Sequence, residues 1–378
     1  MKKSAANLAL AVVLVVAAVF LLSSCSRNER KIETKEMPTP QKQPEAVVYT
    51  QKIEYIQEKR QVINILEVNL LNKKVEVLPV LSHDSIFGFE TTSSIAQRKH
   101  AFAAVNGGFF YSYGQPSGLL IINDKLLCTA TELTKRPVFA VSKNRKFIME
   151  DMDIQVFLNI GDTTILIDGV NRDLDQNEVI AFTSEYGLTT RLNGRPVWNI
   201  VIENGTIQDF IMSDEQVRIP RQGMVIAVTG KRAEELRYLL KKLGEKAEIS
   251  YNIVSNTEKI AQALEGGFWV IKNGEKVVKG EEPWVGLMTN REPRTVVGIK
   301  DNHIAVFITI DGRQPKYSIG LTGNELAEYL LSMNIKDALM LDGGASTTMV
   351  LEGKIINQPS YRGRERMIGG AIIIKIDK

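Results

Sequence analysis

Cysteine and histidine are scarce in this chain of 378 residues, at two and three respectively. Cys25 closes an N-terminal apolar run, so Cys128 is left alone and no intramolecular disulfide is available to the rest of the protein. Cys128 follows Leu126 and Leu127 and reads as a small core residue. His83, His100 and His303 stand apart, without the spacing of a ligand set, which argues against zinc. An excess of one charge is also missing. With 47 basic and 44 acidic residues the net charge is +3, part of it at the N-terminus, so nucleic acid gains no support as a partner. The apolar run Leu8 to Leu22 is short of the roughly 20 residues of a spanning helix. No shift of composition marks a linker beyond residue 46.

What stands at the N-terminus is an address. Lys2 and Lys3 precede the apolar run, and Leu22-Ser23-Ser24-Cys25 resembles a bacterial lipobox, in which the cysteine is lipidated and becomes the mature N-terminus. Residues 1–25 are therefore expected to be a lipoprotein signal peptide with Cys25 the lipidation site. Residues 26–46, rich in charge, proline and glutamine, cannot bury a core and should form a flexible tether. The expected location is the cell envelope. Ser26 and the lack of Asp after Cys25 favour the outer membrane of a Gram-negative cell, facing the periplasm or the cell surface.

From residue 47 to 378 strand signals dominate. Asn-Gly pairs at 193–194, 204–205 and 273–274, and Glu352-Gly353, sit between apolar runs and predict hairpins. Two helices stand out. Leu236, Leu239, Leu240 and Leu243 have helical spacing with Gly244 as a stop, and Thr322 with Glu325 forms a capping box ahead of Leu326, Tyr329, Leu330 and Met333. The expected fold class is α+β, with mixed, mostly antiparallel sheets, a few helices and a C-terminal strand–helix–strand crossover.

Four polar stretches lie at the ends of apolar runs: Val-Asn-Gly-Gly-Phe-Phe at 105–110, Pro-Arg-Thr-Val-Val-Gly at 293–298, Ile-Asp-Gly-Arg at 310–313 and Leu-Asp-Gly-Gly-Ala-Ser-Thr-Thr at 341–348. Pairing Ile299 with Ile304 as a hairpin would set Arg294 opposite Thr309. A crossover helix would then bring the ends of strands 304–310 and 338–341 to one edge, where ligands of α/β sheets bind. Arg294, Asp311, Arg313 and Asp342 are expected to converge there.

Guanidinium forks suit phosphate, and paired carboxylates suit cleavage of a glycosidic bond. Asp311, Asp342 and Glu265 (in Glu-Gly-Gly-Phe, 265–268) are the candidate catalytic residues. Asn106, Gly107, Gly108, Arg294, Thr295, Gly312, Arg313, Gly343, Gly344, Ser346 and Thr347 are the candidate substrate-binding residues. No cofactor is expected. Asp342, Asp311 and Asn106 oxygens would be the ligands were a calcium or magnesium ion held.

These motifs, in this order, resemble the phosphodiester glycosidase family, whose members include the enzyme that uncovers mannose 6-phosphate and exopolysaccharide-associated bacterial proteins. Gly118–Leu127, Gly320-Leu321-Thr322 and Asn357-Gln358-Pro359-Ser360 fall where the family has similar segments. Ala345, Thr347 and the run after Arg366, Met-Ile-Gly-Gly-Ala without an asparagine, depart from its pattern. The resemblance implies a phosphodiester glycosidase-like domain over 47–378 that hydrolyses a sugar-1-phosphodiester, with a carbohydrate or sugar-phosphate substrate and a membrane reached through Cys25. Two rivals use the same residues: an envelope lipoprotein that binds glycan without cleaving it, and an architectural protein whose arginines pair with its carboxylates and leave no cleft.

Overall fold

The computed structural model describes residues 45–131 and 136–377, so the expected signal peptide and most of the tether lie outside the described residues. Three of the four turn signals make two-residue hairpins. Glu203 pairs with Thr206, Lys272 with Glu275 and Leu351 with Lys354 across Asn204-Gly205, Asn273-Gly274 and Glu352-Gly353. Both residues of each pair have positive φ, the backbone that follows the twist of the flanking strands. Asn193-Gly194 does not. Its flanking strands, 179–183 and 197–203, each pair with 223–228, which comes later in the chain and inserts between them.

The helix expected around Leu236 is broken. A short α-helix, Gly230–Glu235, gives way to a 3-10 segment, Arg237–Lys242. Leu236 and Leu239 are buried, whereas Leu240 and Leu243 are 48% and 59% exposed. A 3-10 turn advances 120° per residue, so the four leucines do not stay on one face. The second helix, Gly323–Ser332, is as its signals require, with Thr322 accepting the Glu325 N–H and the Glu325 carboxylate accepting the Thr322 N–H. Every strand pair among the described residues is antiparallel except 169–170 with 179–183. Mostly antiparallel sheets with few helices make this an α+β chain.

One sheet positions the candidate site. Its seven strands run in the order 47–56, 59–69, 304–310, 294–301, 337–340, 269–272, 275–276. Strands 304–310 and 337–340 both lie antiparallel to 294–301 between them. Their carboxyl ends, leading to Asp311 and Asp342, therefore share an edge. Alternation divides the side chains. Val296, Ile308 and Ile310 pack towards Leu326, Ala327 and Leu330 of the helix. Val297, Phe307 and Leu339 pack on Val105, Met349, Ile372 and Ile374 of a second, five-stranded sheet.

The hairpin register is one residue from the expected one. Ile299 pairs with Ala305 and Asp301 with Ile304, a bulge at Lys300, and Arg294 therefore lies opposite Ile310 rather than Thr309. Residues directly opposite share a face, so Arg294 joins Ile310 on the helix side. Thr295 lies with Thr309 on the other. That single residue decides much of the site.

Candidate functional site

Asn106 ends the strand Ala103–Asn106 and is fully buried. Its side-chain oxygen accepts the Thr295 hydroxyl at 2.9 Å and the Thr348 N–H at 3.1 Å. Its amide donates to the Asp342 carbonyl, and the Asp342 N–H returns to the Gly107 carbonyl at 3.1 Å. The Thr295 hydroxyl also meets that of Thr347 at 3.2 Å. Asn106, Thr295 and Thr347 thus clamp the two sheets and the 341–348 loop from beneath. Just beyond, Gly108 lies close to the Glu265 strand, where a Cβ would stand 2.6 Å from the Glu265 carbonyl oxygen.

Above the clamp is a cleft of about 370 Å³, lined among others by Asp342, Gly343, Gly344, Arg294, Arg313, Glu292, Arg366, Phe109 and Trp284. Its size falls in the range of small-molecule sites. The Asp342 side chain is 16% exposed, and burial pushes its carboxyl up to about 6 against the Ser346 hydroxyl, Arg366 and the Gly343 N–H, which favour the charged form. Arg366 Nη1 stands 4.0 Å from that carboxylate, donates to the Ser346 hydroxyl at 3.1 Å and lies over the Phe110 ring.

Arg313 pairs with Glu292 and rests on Gly344, whose φ of +57° and missing Cβ leave room for the guanidinium. Arg294 is 1% exposed, and its donors reach the Leu321 carbonyl at 3.0 Å and the Asn290 carbonyl at 2.9 Å. Burial lowers it to about 10, Glu292 opposing and Arg313 assisting.

Not every nominated residue meets in the cleft. Asp311 is 1% exposed on the face opposite Arg294, where its carboxylate accepts Asn357 Nδ2 at 2.9 Å and the Gln358 N–H at 3.0 Å. Burial raises it too, to about 6, against the pull of Asn357, Gln358 and Tyr317. It anchors the 357–358 loop beneath the site, and Gly312 follows against Pro293. Glu265 is buried beside Gly118. It accepts the Leu119 N–H at 3.0 Å and pairs with Arg136 at 2.7 Å, and the Arg136 guanidinium lies over Trp284, a wall of the cleft. The oxygens considered for a calcium or magnesium ion do not fit one as arranged. Those of Asn106 and Asp311 already accept N–H or O–H donors, and Asp311 lies behind the clamp.

Glu292, Arg366, Phe109 and Trp284 complete the wall and were not nominated from sequence. Glu292 immediately precedes Pro293-Arg294, and Phe109 sits within the first motif, so both were within reach of the motif reading. Trp284 carries no local signal, since a tryptophan in a polar stretch has many explanations.

The phosphodiester glycosidase family matches residues 198–375. An uncharacterized prophage-derived protein of Bacillus subtilis, YomE, is 32% identical over 108 residues, covering 29% of this chain and 16% of its own length. The bovine N-acetylglucosamine-1-phosphodiester alpha-N-acetylglucosaminidase is 32% identical over 131 residues, covering 32% of this chain and 24% of its own. The chain thus spans a quarter or less of these two relatives. Among solved structures, a hypothetical protein from Synechocystis superposes with a TM-score of 0.74 at 16% identity, covering 88% of this chain and 62% of that one. The catalytic domain of the zebrafish N-acetylglucosamine-1-phosphodiester alpha-N-acetylglucosaminidase superposes with a TM-score of 0.51 at 15% identity, covering 88% and 85%. Over residues 198–375 the chain is thus similar to the phosphodiester glycosidase family.

Proposed function

We propose that this protein hydrolyses the glycosidic bond of a sugar-1-phosphodiester in the cleft beside Asp342, at the cell envelope. The observation that carries the reading is one raised carboxyl, that of Asp342, in a cleft bordered by Arg294, Arg313 and Arg366. A carboxylate titrating near 6 is suited to proton transfer near neutral pH. Water attacks the anomeric carbon, its proton passes to the Asp342 carboxylate, and the bond from that carbon to the phosphate oxygen breaks. The departing phosphate monoester takes the electron pair and is held by the guanidiniums, of which those of Arg313 and Arg366 reach solvent. In this reading Asp311 and Glu265 are positioning residues, the first for the loop below Asp342 and the second for the Arg136–Trp284 wall. The run from strand 304–310 through the helix to 337–340 is the crossover that sets the ends of both strands at one edge.

The test is release of free sugar from a panel of sugar-1-phosphodiesters. Asp342→Asn keeps the shape and removes the proton acceptor, and should lower kcat by about 100-fold or more while the protein still binds substrate. Wild-type protein that binds the panel and releases no sugar would instead be the glycan-binding lipoprotein. For location, the basic and apolar leader with Leu-Ser-Ser-Cys supports a lipid anchor on Cys25. No helix among the described residues is long and apolar enough to cross a membrane.

A further inference from the structure

Trp284 has a second side. Beyond it lies a separate groove of about 320 Å³, walled by Trp269 and Trp284 and bordered by Arg136, Lys272, Lys279 and Glu282. Arg136, Lys272 and Lys279 meet Glu282 there, with Arg136 already paired to Glu265 and Lys272 to Asp151. Trp269 is fixed in place, its indole N–H donating to the Asp151 carboxylate at 2.6 Å, and the Lys272 ammonium bonds the other oxygen of that carboxylate at 2.6 Å while lying over the indole. Arg136 lies 4.9 Å from the centre of the Trp284 ring. The groove has no part in the chemistry assigned to Asp342, yet it borders that cleft, with Trp284 as a wall of both.

We propose that this groove is a subsite for the next repeat of a phosphodiester-linked glycan, so that the protein prefers a polymer to a single sugar-1-phosphodiester. The inference rests on the proposed function for the identity of the ligand. Fixed indole rings offer flat apolar faces to sugar rings, and the Lys279 ammonium on the rim suits the phosphate between repeats. Binding energy gathered there, remote from the reacting bond, can be used to position the scissile linkage.

The experiment measures binding of phosphodiester-linked oligomers of glucose, N-acetylglucosamine and mannose, each with one and with three repeats, to the Asp342→Asn protein. At least one sugar should bind about tenfold tighter as three repeats than as one, a gain equivalent to about 1.4 kcal/mol. Trp269→Ala should abolish that gain and leave single-repeat affinity unchanged, which also shows that the variant is folded. Trp269→Phe should retain most of it. Equal affinity for both lengths across the panel overturns the subsite, as does a Trp269→Ala loss that is the same for both. Hydrolysis is scored separately with wild-type protein. Cleavage of single repeats without any length gain retires the groove and keeps the catalytic reading. A Trp269-dependent length gain without cleavage retires catalysis and keeps the groove.

Discussion

Asp342 holds its carboxyl in the cleft wall at a cost to the fold. Its usual value is 3.8, and burial raises it to about 6. Below about pH 4 it is protonated in both folded and unfolded chains and makes no difference to stability. Between about 4 and 6 the folded protein keeps a proton that the unfolded chain has released, so stability falls as pH rises, and above 6 the loss is complete. Asp342→Asn removes this term. The variant should match wild type near pH 4 and be more stable at pH 7, by an amount on the order of 1–3 kcal/mol, read by urea denaturation at both values. A variant less stable than wild type at pH 7 would show that the carboxylate holds the loop together. Asn106 is the opposite case, because its amide joins Thr295, Thr348 and the Asp342 backbone in a dry interior. Asn106→Ala leaves those partners unpaired and should lower stability by about 2–4 kcal/mol, seen as an earlier midpoint in the same assay.

At the level of elements, local signals and packing agree in some places and conflict in others. Thr322 and Glu325 cap the helix Gly323–Ser332 through contacts three residues apart, which is why sequence reads them directly. The 236–243 leucines have the right spacing for a helix, but a 3-10 turn rotates two of them into solvent. Leu236→Ala should cost about 2–4 kcal/mol and Leu240→Ala less than about 0.5 kcal/mol. Chemical denaturation of the two variants distinguishes this arrangement from a regular α-helix, in which both would be costly. The bulge at Lys300 was also beyond local reading, since it depends on how two strands settle against neighbours on either side.

For the whole molecule, the leader and the domain make separable demands. A lipid on Cys25 would keep the cleft at a membrane surface, and Cys25→Ala should move the protein from the membrane fraction to the soluble one and abolish incorporation of a fatty-acid analogue. A Cys25→Ala protein that still carries the label and still pellets with membranes would falsify the anchor. Folding should be indifferent to that change, because the cores draw on residues from Ala46 onward.

The sequence by itself determined what depends on near neighbours or on residue chemistry. Hairpins at Asn204-Gly205, Asn273-Gly274 and Glu352-Gly353 need φ signs that those residues tolerate, and the capping box needs only a three-residue reach. It also singled out Asp342, Arg313, Gly343 and Gly344, which line the cleft, because glycines at the ends of apolar runs are conspicuous. Only the tertiary structure decided which face each strand-end side chain takes. Shifting a strand by one residue exchanges its neighbours, and here that shift set Arg294 and Asp311 on opposite sides of one sheet. It also brought Glu292, Arg366 and Trp284 to the cleft, from segments whose proximity depends on how sheets and loops pack and on no local pattern.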